Sequence, residues 1–80
     1  MCLAVPACIL SISDARHCLA IADSGGVQRQ IDLSCVTGDI AAEDLIGRWV
    51  LVHVGVALAV ISDEEAQASL EIWSQLQDLP

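Results

Sequence analysis

The chain has no lysine, no phenylalanine and no tyrosine. Its positive residues are Arg16, Arg29 and Arg48, against 11 acidic residues, for a net charge of −8. Nucleic-acid binders neutralise phosphates with clustered Lys and Arg, so an acidic chain of this kind excludes nucleic acid as a partner. Anionic membrane surfaces are disfavoured for the same reason. A basic protein partner suits the field better, because opposite charges steer encounter. No CxxC pair stands among the cysteines at 2, 8, 18 and 35, so the usual zinc spacing is missing. The longest apolar run, residues 46–61, contains Arg48 and His53 and is shorter than the ~20 residues of a membrane-spanning helix. The N-terminus lacks the positive residues of a secretory signal, and Pro6 interrupts its apolar run. These features point to a cytoplasmic chain with reduced thiols and no membrane partner.

What is present is a dense supply of aliphatic side chains. With 80 residues there is room for one domain. A domain of this size buries only ~60% of the surface of its unfolded chain. Apolar residues make up 55% of the sequence, and the only aromatics are Trp49 and Trp73, so Val, Ile, Leu and Ala must build the core. Drug-sized ligand sites need roughly 300 Å³ or more. A chain this short is therefore expected to act through binding and not as a self-contained enzyme.

Residues 2–12 read as a first strand and 14–16 as a turn, followed by a second strand at 17–22. Asp23-Ser24-Gly25-Gly26 is a hairpin turn, since glycine supplies the positive φ that such turns need. Val27, Arg29, Ile31 and Leu33 alternate with Gln28, Gln30 and Asp32, which predicts a third strand with one wet face. Residues 34–45 form a loop with a short helical turn near 41–45. Two further strands, 49–54 and 56–61, bend at Gly55. Ser62-Asp63-Glu64-Glu65 is a capping box opening a helix to about residue 77, with Ala66, Leu70 and Trp73 on the flank facing the strands. Five short strands and one helix predict a mainly β fold, a small OB-like barrel over 1–61 with a C-terminal helix over 62–77, all one domain over 1–80.

Cys2 is the sharpest chemical feature. Loss of Met1 would leave an N-terminal cysteine whose ammonium lowers the thiol pKa, and thiolate is the form that binds soft metals. The alternative is an ordinary terminal cysteine behaving as a small hydrophobe. His53 is the only titratable group between Trp49 and Ile61. It is either a metal ligand or proton donor, or a histidine satisfied within the fold. Cys8, Cys18 and Cys35 are most simply inert thiols. Asp63, Glu64 and Glu71 give the helix an acidic face, either merely solvated or a docking surface.

Two segments carry a resemblance. Met1-Cys2-Leu3-Ala4-Val5-Pro6 closely resembles the N-terminal signature of the HypC/HupF family of hydrogenase assembly chaperones, and Gly47-Arg48-Trp49-Val50-Leu51-Val52-His53-Val54-Gly55-Val56-Ala57 resembles its second signature. The resemblance spans nearly the whole chain. It implies an OB-like barrel and a role in building the iron centre of nickel–iron hydrogenases, with iron as a transient iron–cyanide–carbonyl cargo. It implies two partners, a HypD-like scaffold protein and the precursor of the hydrogenase large subunit. It assigns Cys2 as the essential thiol and matches His53 to the family histidine. Residues Cys2, Leu3, Ala4, Val5 and Pro6 then form the arm that meets the partners. The family usually has glycine after the proline, where this chain has Ala7 followed by Cys8, and alanine is strained if that position needs positive φ. A rival reading from the residues alone is a metal- or redox-responsive subunit of an enzyme using Cys2, Cys8 and His53. A third is a structural barrel whose cysteines have no role.

Overall fold

A computed structural model describes residues 4–38 and 40–77, with side chains to residue 71. The elements are β1 (Val5–Asp14), β2 (Leu19–Ser24), β3 (Val27–Asp32), a 3-10 turn (Ala42–Leu45), β4 (Trp49–His53), β5 (Val56–Ile61) and the helix α1 (Asp63–Gln77). The strands close into a barrel in the order β1-β2-β3-β5-β4. The mainly β fold with a C-terminal helix is thus as the sequence predicts.

Strand β1 is the longest and serves both neighbours. Its first half pairs antiparallel with β4, from Val5 against Val52 to Cys8 against Trp49. Its second half pairs with β2, from Cys8 against Asp23 to Asp14 against Leu19, with two register shifts that bend the strand around the barrel. Local chemistry sets the hairpins. Gly25 and Gly26 take φ of 61° and 91°, which places the β2–β3 loop in the two-residue turn whose twist matches the strands. The β4–β5 loop does the same with Val54 at 51° and Gly55 at 78°. Val54 therefore belongs to the turn, and β4 ends one residue earlier than its alternation suggests. Among the described residues β1 begins at Val5, and residues 2 and 3 of its expected start lie outside them.

The interior is filled by small and branched aliphatics. Ala7, Ile9, Ala20, Leu33, Val50 and Ala57 are among the buried residues of one cluster. Four alanines in this cluster leave room for Ile9, Leu33, Leu45 and Val50, each 0–1% exposed. Small barrels fill their interiors with such mixtures of small and large side chains. Ala7 lies in regular strand and is 3% exposed, so its methyl group carries no backbone strain and adds to the core.

Helix α1 starts with the capping box. The Glu65 amide donates to Ser62 Oγ at 3.1 Å, and the Ser62 amide donates to Glu65 Oε1 at 3.3 Å. The acidic first turn also suits the helix dipole. The helix lies against β1 and β4, with Ala66 fully buried and Leu70 half-buried. The predicted packing of Trp73 falls outside the described side chains. Ser62→Ala is expected to cost ~1 kcal/mol. That lowers the thermal midpoint by roughly 4–8 °C for a domain of this size, measured by far-ultraviolet circular dichroism.

Candidate functional site

Residues Met1, Cys2 and Leu3 lie outside the described residues. The strand that follows them is well anchored. Pro6 is fully buried, and its carbonyl accepts a hydrogen bond from Ser24 Oγ at 2.8 Å. In a strand the N and O of one residue point to the same side, so the proline nitrogen also faces β2 and removes nothing from the β1–β4 ladder. Pro6 thus contributes by fixing where the chain leaves the barrel. Ala4 and Val5 are half-buried beside it.

His53 is the last residue of β4 and is half-buried. Among the described residues its ring has no hydrogen-bond partner. The register Val5 against Val52 means that β1 begins at the end of β4 that carries His53. The described end of the first signature segment, Val5 and Pro6, is therefore paired with the strand of the second, and Val5 stands at its His53 end.

The cysteines separate. Cys8 pairs with Trp49, at the far end of β4 from His53. Four residues of antiparallel strand place the two about 13 Å apart along the sheet. Burial, helped by the negative charges of Asp23 and Asp63, pushes the Cys8 thiol above its ordinary pKa. It stays protonated at neutral pH and is a poor soft-metal ligand. Cys8 and His53 are therefore too far apart to share one metal ion, and Cys2, the third residue of the rival reading, lies outside the described residues. Among the described residues no group of three or more His, Cys, Asp or Glu side chains could hold a metal ion.

A second feature went unread in the sequence. The β4–β5 turn meets β3 only at Asp32, so the earlier residues of β3 run on past it, and an open cleft of about 470 Å³ lies beside them. Buried Ala7, Ala22 and Ile31 form its base, and exposed Val27, Arg29 and Val54 stand at its rim. Both faces of β3 are exposed from Val27 to Gln30, so the wet face expected from alternation extends to both sides at this tip. The hint in the sequence is an arginine that alternates with Val27 and Ile31 on one face of the strand after the glycine turn. No helix among the described residues is long and apolar enough to cross a membrane.

The HupF/HypC family model matches residues 1–73. The chain belongs to the HupF/HypC family. It is 44% identical over 76 residues to the hydrogenase maturation factor HypC of Rhodobacter capsulatus, covering 95% of this chain and 78% of the relative. It is 37% identical over 76 residues to the hydrogenase maturation factor HybG of Escherichia coli K12, covering 95% and 92%. Against HypC of the same E. coli strain the identity is 38% over 80 residues, covering 99% and 86%. In this HupF/HypC chain, the matched segment includes both the N-terminal arm and the His53 strand.

Proposed function

We propose that this chain is a hydrogenase maturation chaperone that carries or helps assemble an iron–cyanide–carbonyl unit and delivers it to the precursor of a nickel–iron hydrogenase large subunit. Family membership and the hydrogenase maturation factors among its relatives support the chaperone role. The observation that carries the finer reading is the β1–β4 register, which starts the first strand at the His53 end of β4. Val5, three residues after Cys2 in the sequence, stands at the strand end that carries an imidazole with no hydrogen-bond partner among the described residues.

The chemistry is consistent. Iron bearing cyanide and carbon monoxide is low-spin and soft, and thiolate is a matching ligand. A carrier must hold its cargo through few ligands and then release it. One thiolate on an arm, with His53 as a second donor or a proton donor, serves that better than a closed four-ligand site. Transfer then occurs between a HypD-like scaffold protein and the large-subunit precursor, in the cytoplasm. The chain acts by binding and release without turnover of its own.

The test is purification of the affinity-tagged chain from cells making a HypD-like scaffold, followed by metal analysis and infrared spectroscopy. The expected result is a complex of the two proteins containing iron and showing cyanide and carbonyl stretching bands. Tight stoichiometric zinc, or iron without either diatomic ligand, would sink the carrier role.

A further inference from the structure

The cleft adjoins the proposed iron site, sharing Val5 with the arm and Val52 and Val54 with the His53 strand end, and its lining carries an inference of its own. The two-residue loop at Gly25-Gly26 fixes the phase of the β2–β3 ladder. Ser24 with Val27, Ala22 with Arg29 and Ala20 with Ile31 are the hydrogen-bonded pairs. The backbone N–H and C=O groups of Gln28 and Gln30 therefore point to the opposite edge. Asp32 has the same phase, and its N–H indeed leaves that edge to donate to the Gly55 carbonyl at 2.9 Å. That is where β3 meets β5, through the single register pair Asp32 and Val56. Among the described residues, no strand lies beside Gln28 and Gln30 on this side.

We propose that this free edge of β3, with the cleft next to it, docks an extended segment of a partner protein, mostly apolar and carrying one carboxylate opposite Arg29. The segment joins the sheet as an added strand, its backbone pairing with Gln28 and Gln30. Its inward side chains enter the cleft against Val27, Ile31 and Val54.

Charge selects the carboxylate. Among the described lining residues Arg29 is the only charged one, in a chain with 11 acids. Its guanidinium forms no ion pair among the described residues. The net charge of −8 limits the complement to an isolated acid and disfavours a strongly acidic tail. A second copy of the chain is a poor occupant. Antiparallel self-pairing centred on this edge sets Arg29 against Arg29, and like charges directly opposite destabilise a strand pair.

Val54 supplies an independent sign. It is β-branched, sits at φ 51° and is 85% exposed. A left-handed conformation is costly for such a residue, and asparagine or glycine would remove the strain. Strain kept at an exposed apolar rim position fits a contact residue for a partner.

The test is a titration of the 15N-labelled chain with the peptide acetyl-Thr-Val-Thr-Val-Glu-Val-Thr-Val-amide, and with the same peptide carrying lysine in place of glutamate. The expected result is saturable shifts confined to residues 27–31 and 52–55, with slowed exchange of the Gln28 and Gln30 amides. Arg29→Ala should weaken the glutamate peptide about tenfold, as for loss of a partly exposed charge-assisted hydrogen bond. Gln28→Pro removes a free-edge N–H but no β2 ladder bond, and should lose binding. Val54→Asn should raise the thermal midpoint and weaken the peptide together. Equal binding of the lysine peptide, shifts centred on α1, or wild-type affinity in Arg29→Ala would each overturn the proposal. A dimer in sedimentation that Gln28→Pro abolishes would assign the edge to a second copy instead, and overturn it too.

Discussion

Cys2→Ala is expected to abolish hydrogenase maturation while leaving the thermal unfolding of the barrel unchanged. Cys2 stands before the first strand, which begins at Val5, and truncating a side chain near a chain end rarely disturbs a core. It is the one thiol within the family's N-terminal signature. Cys8, Cys18 and Cys35 have other positions: Cys8 and Cys18 are half-buried, and Cys35 is exposed in the loop after β3. Alanine removes the only strong soft donor of the arm and retains the backbone that Pro6 and Val5 anchor. The measurement pairs hydrogenase activity in a complemented deletion strain with calorimetry of the purified variant. Replacing Cys8 or Cys18 should show the reverse pattern, a modest loss of stability and retained maturation. Full hydrogenase activity with Cys2→Ala would disprove the carrier mechanism, whatever the family.

Leu33→Ala should have the largest effect on stability. Leu33 is 0% exposed and closes the barrel where β3 ends. Its backbone is bound on both sides, with its N–H donating to the Cys18 carbonyl at 2.8 Å and its carbonyl accepting from Val36 at 2.9 Å and Thr37 at 3.1 Å. The chain around a new cavity there cannot easily collapse. Truncation of a buried leucine typically costs 2–5 kcal/mol, and a domain of this length has only about 4–12 kcal/mol in total. Urea unfolding should show a much lower midpoint with an unchanged slope. Leu10→Ala, at a side chain 43% exposed, should lie within about 0.5 kcal/mol of the parent. A Leu33→Ala loss below about 1 kcal/mol would contradict the core described above.

These contrasts show what could be read from the residues and what could not. The hairpins were legible because their signals are local: alternation from Val27 to Leu33, two glycines, and a capping box whose two hydrogen bonds form as written. The boundaries shifted where pairing decides. Strand β4 turns back after His53, and the β1–β4 ladder begins at Val5 against Val52. Val54 reads as strand by composition, yet a two-residue turn between His53 and Val56 needs it at positive φ. Barrel closure through Asp32 and Val56 involves residues far apart in sequence, and no periodicity reports it. The same division holds for the site. Cys2 and His53 were nominated through contiguous motifs. The cleft escaped notice because four separate segments line it, and Arg29 gains its meaning only from what lies around it.

The double pairing of β1 has a consequence for the order in which the molecule is made. Both two-residue hairpins, β2–β3 and β4–β5, are local and can form within microseconds of leaving the ribosome. The β1–β4 ladder joins the two ends of the barrel and cannot begin until β4 exists. Synthesis of the intervening chain takes a few seconds at ordinary rates. Val5 therefore emerges well before its partner Val52 and is among the last residues to be anchored. During that interval only the start of β1, from Val5 to Ala7, waits for its partner, while the rest can already pair with β2, and non-local closure of this kind sets a slow folding step.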